Sequence, residues 1–514
     1  MPRDRGGRLS LFINWWHQDR GMPIRRSNKK PRNPEAEGFG LDRDVLRFNR
    51  KDDAVRLSDL AGSSLIIGDS GSGKTTGPFY TLAASLMGLG CGLLATAVKQ
   101  EDAERVRRLA SRSGRRDVRV FTLGVDTFNP LLHEQVHGAR FGGHTERLVE
   151  LAMEPLRREG NSRADPLWTD LSGQLIRACV ILFTAAEFAL SFRLLNEAIH
   201  SIPRDHGEAR DPGWQDRSPL FRAARSIDLD ELGEQAADDV RQALECLFVE
   251  FPGMPEKTLG SVITTATSGF GPLLYGEVGR AVNADTNTID PLTVTRDSGV
   301  VILDCPVLLH GEAAATVQRL FVTSAQQELL RRRVTPETPL AIILIDEFPS
   351  FGDAERDGRF MSVCRSSRAS MVLVAQDVGG VRRTARGARN PKAVSDTVLG
   401  LPVCKIFAST SDPETHRYAE AVFTQTPQTK VSHGLSRDEG GRPTGKNQPA
   451  PGKASQNASF TRELRVDTAA HELRSLKRGG PENGFRMEAI IGVGGRTWSN
   501  GRPSLRVTFD QIFP

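Results

Sequence analysis

Eight consecutive residues carry the clearest chemistry in this chain. Gly68-Asp69-Ser70-Gly71-Ser72-Gly73-Lys74-Thr75 fits Gly-x4-Gly-Lys-Ser/Thr at every position. Glycines at these places let the backbone curl so that successive N–H groups face phosphate oxygens, and the helix that follows adds the partial positive charge of its N-terminus. Lys74 then sets an ammonium on the β- and γ-phosphates, the Thr75 hydroxyl ligates Mg²⁺, and Thr76 continues the phosphate-facing row.

Such a loop needs an acidic partner. Ala341-Ile342-Ile343-Leu344-Ile345-Asp346-Glu347 supplies five apolar residues and then two carboxylates, at the strand end where open α/β sheets bind ligands. Asp346 is the expected water-mediated holder of Mg²⁺, and Glu347 the general base for the attacking water. Gln376 ends the next apolar run and is expected to reach the γ-phosphate or that water. Arg365 and Arg368 lie in the turn before the same run. Either could act as an arginine finger on a neighbouring subunit's site, and either could pair with a surface carboxylate. No Asn-Lys-x-Asp guanine signature occurs, so ATP with Mg²⁺ is the expected ligand set.

The elements that must hold these residues alternate along the chain. Short apolar runs at 64–68, 92–97, 118–122, 300–304, 341–346, 371–375 and 403–408 read as strands buried on both faces. Helical stretches between them indicate parallel strands with crossover helices. Residues 144–293 show almost only helical periodicity, over 145–156, 167–190, 192–202, 228–251 and 257–274. The expected fold is therefore α/β, a P-loop motor with a mostly parallel central sheet and an inserted all-α domain. The boundaries expected are 1–38 for a basic N-terminal arm, 39–143 for the first motor part, 144–293 for the insertion and 294–429 for the second motor part. Residues 430–459, rich in Gly, Pro, Asn and Ser, read as a flexible loop, and 460–514 as the C-terminal part of the motor.

Composition narrows the class. The 514 residues are 38% hydrophobic and 25% charged, with a net charge of +5, a balance of globular rather than fibrous or disordered proteins. Residues 1–32 carry nine basic side chains against two acidic ones, so the rest of the chain is slightly acidic. That arm suits phosphates of nucleic acid or of an anionic membrane, and equally a solubilising tail. Six scattered cysteines include no C-x-x-C pair, which points to a reducing compartment. No run approaches the ~20 apolar residues of a membrane span, so a cytoplasmic protein is expected.

Two other groups of residues bear on function. His133-Glu134-Gln135-Val136-His137 reads as H-E-x-x-H, which on a helix sets two imidazoles on one face for zinc. Pro130 before it and Gly138, Gly142 and Gly143 after it argue against a long rigid helix. Arg140 and Gly143 also occupy positions where the extended zinc-protease pattern needs glycine and histidine. A chance pentapeptide in the hinge to the insertion is the preferred reading. After Gln376, the cations Arg382, Arg383, Arg386, Arg389 and Lys392 cluster within eleven residues. They are the candidate DNA-backbone contacts, with a solvated basic helix as the alternative.

Taken together, these residues resemble the coupling ATPases of conjugation and type IV secretion, the TraG/TraD type, within the FtsK/HerA group of hexameric DNA pumps. The resemblance runs from about residue 39 to the C-terminus. It rests on the P-loop, Val98-Lys99-Gln100-Glu101, Phe128-Asn129-Pro130-Leu131, Asp165-Pro166-Leu167-Trp168, Ile345-Asp346-Glu347-Phe348, the Arg365-to-Gln376 spacing, Ser411-Asp412-Pro413-Glu414-Thr415, and Glu472-Leu473 with Gly479-Gly480. It implies a RecA-like motor domain with an all-α domain between the two nucleotide motifs, and ATP-driven translocation of DNA by a homo-oligomeric ring, expected to be a hexamer, with Arg365 rather than Arg368 as the finger. Relaxase or relaxosome proteins and secretion-channel ATPases are the implied partners. Members of that type usually begin with transmembrane helices, where this chain has a basic arm. Peripheral attachment at the inner membrane through a partner is therefore one expectation. The alternatives are a HerA-like pump working with a nuclease, and an ATP-binding substrate receptor that does not pump DNA.

Overall fold

A strand whose residues are all apolar must be covered on both faces, and the computed structural model of the chain covers them so. It describes residues 39–48, 53–138, 144–158, 166–385, 387–423, 425–437, 454–466 and 470–513. The expected basic arm, Arg386 and Asp165 lie outside these residues. The strands are β1 (Asp44–Arg47), β2 (Ala54–Arg56), β3 (Ser64–Ile67), β4 (Gly92–Thr96), β5 (Val118–Thr122), β6 (Val300–Asp304) and β7 (Ala341–Ile345). They continue with β8 (Ala369–Ala375), β9 (Cys404–Ala408), β10 (Gln425–Arg437), β11 (Ala454–Val466), β12 (Arg486–Val493) and β13 (Ser504–Asp510). Nine of them form one sheet in the order β13-β12-β9-β3-β8-β7-β4-β6-β5. From β9 to β5 all pairings are parallel, while β12 pairs antiparallel with both β9 and β13.

Side chains alternate strictly between the two faces. Ala341, Ile343 and Ile345 of β7 enter one core with Met371 and Leu373 of β8. Ile342 and Leu344 enter the other, with Val372 and Val374. The principal helices are α1 (Tyr80–Gly88), α2 (Gln100–Arg112), α3 (Pro130–Gly138), α4 (His144–Arg158), α5 (Pro166–Ala185), α6 (Phe192–His200) and α7 (Glu234–Glu245). After them come α8 (Glu256–Ser268), α9 (Val307–Arg331), α10 (Ala354–Val363), α11 (Val378–Arg383), α12 (Pro391–Gly400) and α13 (Pro413–Phe423). None of the helices described is long and apolar enough to cross a membrane. All six cysteines are free thiols, five of them buried.

The helical insertion is not a separate globule. Its buried Leu175, Phe183 and Phe192 belong to the same core as Phe121 of β5 and Phe321 of α9. The chain enters and leaves it along adjacent paths: Thr288 N–H donates to Thr127 O at 3.0 Å, and Asn129 N–H to Asn287 Oδ1 at 2.7 Å.

Several expectations need correction. β5, at the sheet edge, is only partly buried rather than covered on both faces. The helix expected over 228–251 begins at Glu234, and the one expected over 257–274 ends at Ser268. The helix expected over 167–190 stops at Ala185, because Glu187 adopts φ +58° and turns the chain. The loop expected over 430–459 is strand at both ends. β10 and β11 pair antiparallel from Gln425–Val466 to Arg437–Ala454, and residues 438–453 lie outside those described. Low aliphatic content hid these strands, since a two-stranded ribbon needs paired backbone more than a buried face.

Candidate active site

β3 delivers the phosphate loop at its carboxyl end. Three N–H groups of the loop are already used: Gly68 donates to Ala375 O, Asp69 to Ser409 O, and Ser72 to Asp69 O. Those of Gly71, Gly73, Lys74, Thr75 and Thr76 have no backbone acceptor among the described residues. The expected phosphate-binding row is thus narrower than the motif. Gly71 and Gly73 adopt φ +75° and +88°. A Cβ at Gly73 would also meet Met487 at 3.1 Å, so only glycine satisfies both backbone and space there. The turn that follows, Thr75–Phe79, is a π-turn containing Pro78. Phe79 N–H reaches back to Lys74 O at 3.1 Å, and such wide turns recur at functional sites. Lys74 is 7% exposed, and the buried Ser72 Oγ has no hydrogen-bond partner among the described residues. These free donors and the buried ammonium fit a polyphosphate.

Asp69 has a different part from the one expected. Its carboxylate accepts from Thr410 Oγ1, Ser411 N–H, Ser411 Oγ and the Arg478 guanidinium, all at 2.9–3.0 Å. It therefore anchors the loop to the segment after β9 and to the C-terminal region.

β7 brings the acidic pair to the same sheet edge. Thr75 Oγ1 donates to Asp346 Oδ1 at 3.3 Å, which puts the two expected Mg²⁺ holders side by side. Burial, with the Asp102 carboxylate nearby, pushes the Asp346 carboxyl up to about 7. A divalent cation there offsets that penalty and favours the carboxylate. Glu347 sits in the left-handed region at φ +60°, ψ +56°, a conformation that costs non-glycine residues about 1–3 kcal/mol and clusters at active sites. Gln376, at the end of β8, donates from Nε2 to Glu347 Oε1 at 3.0 Å. β8 lies between β3 and β7, so the glutamine amide stands between the phosphate loop and the acidic pair.

The two arginines separate clearly. Arg368 Nη1 donates to the carbonyls of Phe39, Pro336 and Thr338 at 3.2, 2.9 and 2.7 Å, so its guanidinium is fixed within the fold. Arg365 is exposed in the turn Cys364–Ser367, and its side chain makes no ion pair among the described residues. That turn precedes the amino end of β8, whereas Gln376 follows the carboxyl end. Seven strand residues span roughly 20 Å, so Arg365 is out of reach of its own phosphate loop.

Among the expected DNA contacts, Arg382 is engaged, pairing with Glu414 at 2.5 Å and Asp396 at 3.4 Å. Arg383, Arg389 and Lys392 are exposed around the turn between α11 and α12.

The C-terminal region supplies support that sequence reasoning missed. Gln511 Nε2 donates to Thr76 Oγ1 at 2.5 Å, Ile512 N–H to Thr76 O at 2.7 Å, and Gly480 N–H to Gln511 Oε1 at 2.6 Å. Glu472-Leu473 with Gly479-Gly480, and the assignment of 460–514 to the motor, point to this region but not to its contacts with the phosphate loop.

Comparison with known proteins places this site in a family. A family model described as type IV secretory system conjugative DNA transfer matches residues 34–439. The chain belongs to that family. No curated protein matches it by sequence. Solved structures of the bacterial conjugative coupling protein TrwB share the fold at low identity. The trigonal form of TrwBdeltaN70 in complex with sulphate is 15% identical, with a TM-score of 0.58 and 96% of each chain covered. The complex with the ATP analogue ADPNP is 14% identical, with a TM-score of 0.57 and the same coverage. The complex with ADP and Mg²⁺ is 14% identical, with a TM-score of 0.55, covering 90% of this chain and 88% of that one.

In this member of the conjugative DNA-transfer family, the short polar elements outside the phosphate site are joints. Asn129 accepts from Leu131 and Leu132 N–H at the start of α3, and its amide donates to Leu190 O and Ala284 O, holding both crossings into the insertion. Asp412 caps α13 by accepting from Thr415 N–H and Oγ1 at 2.7 Å, and Thr415 Oγ1 accepts from Val378 N–H. Deeper in, Arg319 of α9 is 1% exposed and meets both Asp357 oxygens at 2.9 Å. Glu154 of the insertion approaches Arg319 at 3.5 Å and Arg356 at 2.8 Å. Nothing in the hydrophobic pattern announced this buried charge network.

Proposed function

We propose that this chain is an ATPase that drives DNA through a ring of identical subunits, as a coupling protein of conjugative transfer. The observation that carries the reading is the convergence of Lys74 and Thr75, Asp346 and Glu347, and Gln376 at the carboxyl ends of three adjacent strands. Binding alone needs the phosphate loop and the metal holder. It does not need a strained glutamate held by a glutamine amide.

In this mechanism Lys74 and the free N–H groups of Gly71, Gly73, Lys74, Thr75 and Thr76 hold the β- and γ-phosphates of ATP. Thr75, and Asp346 through water, would hold Mg²⁺, which would supply neutralisation of the phosphate charge. Glu347 takes the proton of the attacking water. Gln376 donates one amide hydrogen to Glu347, which fixes the carboxylate and leaves the amide oxygen free to orient the same water. Arg365 acts on the site of the adjacent subunit, where it offsets charge developing on the transferred phosphoryl group. Residues 39–143, 294–429 and 460–514 form the motor, and 144–293 the substrate- or partner-facing insertion. The exposed Arg383, Arg389 and Lys392, with Arg386, hold the DNA backbone without reading bases. A ring of six, relaxosome or secretion-channel partners, and attachment to the inner membrane through a partner complete the reading.

The test is the ATPase rate of the purified chain with and without single- and double-stranded DNA at two salt concentrations. Stimulation by DNA that fades with salt is expected, because phosphate contacts release counterions. A Mg²⁺-dependent rate indifferent to DNA would refute DNA pumping and favour a protein receptor.

A further inference from the structure

The H-E-x-x-H pentapeptide has no part in nucleotide hydrolysis, yet it lies on a true helix, α3. Four-residue spacing sets His133 and His137 on one face, with ring centroids 4.8 Å apart. The same face meets Asp290, at the point where the chain returns from the insertion. One ligand atom from each of His133, His137 and Asp290 lies within 4.8 Å of the others. His133 is 2% exposed, and neither ring nitrogen makes a hydrogen bond among the described residues. A buried imidazole in that state is costly unless something else satisfies it.

We propose that His133, His137 and Asp290 bind a first-row divalent cation, with zinc as the expected ion, forming a clasp between the two chain crossings that join motor and insertion. Two imidazoles and one carboxylate are a fitting zinc set, with a fourth position open to water. Bonds of 2.0–2.2 Å in a tetrahedron set ligand atoms about 3.4 Å apart, so closure needs only small side-chain rotations. Asp290 Oδ1 accepts from Leu292 N–H at 2.8 Å, which orients the carboxylate and leaves Oδ2 for the ion. Glu328 Oε1 lies 3.5 Å from His133 Nε2. It is placed as the outer carboxylate that commonly steadies a ligating histidine through its second nitrogen.

Peptidase chemistry does not follow. Glu134, which would be the base, is 1% exposed and held by both terminal nitrogens of Arg331, at 2.8 and 2.5 Å. A carboxylate in that bidentate pair is not available to a metal-bound water. The clasp is therefore structural. It ties α3, and through Asn129 the first crossing, to the segment that re-enters the sheet at β6.

The experiment uses the untagged full chain, stripped of metal and free of nucleotide. Zinc is titrated against a chromophoric chelator, Co²⁺ binding is followed by its visible absorption, and the melting midpoint is recorded with and without zinc. The variants are His137→Gln and Asp290→Asn, both at half-exposed positions. Asp290→Asn also retains a carbonyl to accept from Leu292 N–H. One zinc per chain, a Co²⁺ spectrum of nitrogen and oxygen ligands, and a zinc-raised midpoint are expected for the parent. At least a tenfold loss of affinity is expected in each variant, with the metal-free midpoints unchanged. Absence of stoichiometric binding would overturn the assignment. So would binding unaffected by both variants, or a thiolate charge-transfer band, which would assign the metal to cysteines. None of these results depends on ATP turnover, so the proposed function is tested separately.

Discussion

Asp357→Ala should destabilise the chain more than almost any substitution at the nucleotide site. Asp357 is fully buried and satisfies four donor contacts: two from Arg319 Nη1, one from Gln326 Nε2 at 2.7 Å and one from Asp353 N–H at 3.0 Å. Removing it strands a guanidinium that is 1% exposed, left with Glu154 at 3.5 Å and the field of the Asp353 carboxylate. Breaking one side of such a buried pair costs about 3–5 kcal/mol. At about 2–4 °C per kcal/mol for a sizeable domain, the melting midpoint should fall by roughly 6–20 °C. The matching control is the double replacement Arg319→Met with Asp357→Leu, because apolar side chains of similar volume often replace a buried pair at little cost. Thermal unfolding of the parent, Arg319→Met, Asp357→Leu and the double variant closes the cycle, with Asp357→Ala measured beside it. A midpoint for Asp357→Ala within about 2 °C of the parent would refute the reasoning. A double variant as unstable as the two singles added together would refute it as well.

Further outcomes are expected at the nucleotide site and at the two arginines. Lys74→Ala should abolish ATP binding or turnover, whereas Glu347→Gln should still bind ATP and trap it, with turnover down by at least about two orders of magnitude; equilibrium binding and single-turnover rates distinguish them. Arg365→Ala should leave the melting midpoint unchanged and lower kcat about 10³-fold or more. Mixing it with Lys74→Ala subunits should restore part of the rate, and Arg368→Ala should instead lose stability. Because burial raises the Asp346 carboxyl to about 7, protons should compete with Mg²⁺. The half-saturating Mg²⁺ concentration should rise about tenfold per pH unit below that value. The sign for stability follows from the same shift. The metal-free folded chain retains a proton on Asp346 that the unfolded chain sheds near pH 4, so this group's contribution to stability should fall as pH rises from 4 to 7. Relative to the parent, Asp346→Asn should lose that component of the slope, and nucleotide with Mg²⁺ should flatten it.

Chemistry and central strands were legible because each rests on local sequence. Seven strands announced themselves as continuous apolar runs, and the phosphate loop and Asp346-Glu347 are contiguous motifs. What escaped depends on distant partners. β13, at the sheet edge, alternates buried and partly exposed residues, so its apolar content is diluted, whereas the short buried run Ala489 to Val493 of β12 is hidden because Gly492 and the flanking Glu488 interrupt the pattern. Asp69 reads as one more loop residue until Arg478, more than 400 positions away, is seen on its carboxylate. His133 and His137 read as chance until Asp290 arrives from the far end of the insertion.

The C-terminal segment shows why such distant contacts matter to the chemistry. Parallel sheets need their edges protected, and β12 with β13 closes the side on which β9 would otherwise stand at the margin. Met487 of β12 then fills the space beside Gly73, while Gln511 and Ile512, just after β13, hold the side chain and carbonyl of Thr76. The free N–H groups of the loop are therefore set from both directions. β3 and the segment after β9 fix the start of the loop through Gly68 and Asp69, and the last residues of the chain fix its exit. An N–H row held at both ends keeps its shape without ligand, so little of the binding energy for ATP is lost to ordering the loop. The chain's final forty residues are thus part of the phosphate site's rigidity, although none of their side chains carries the chemistry.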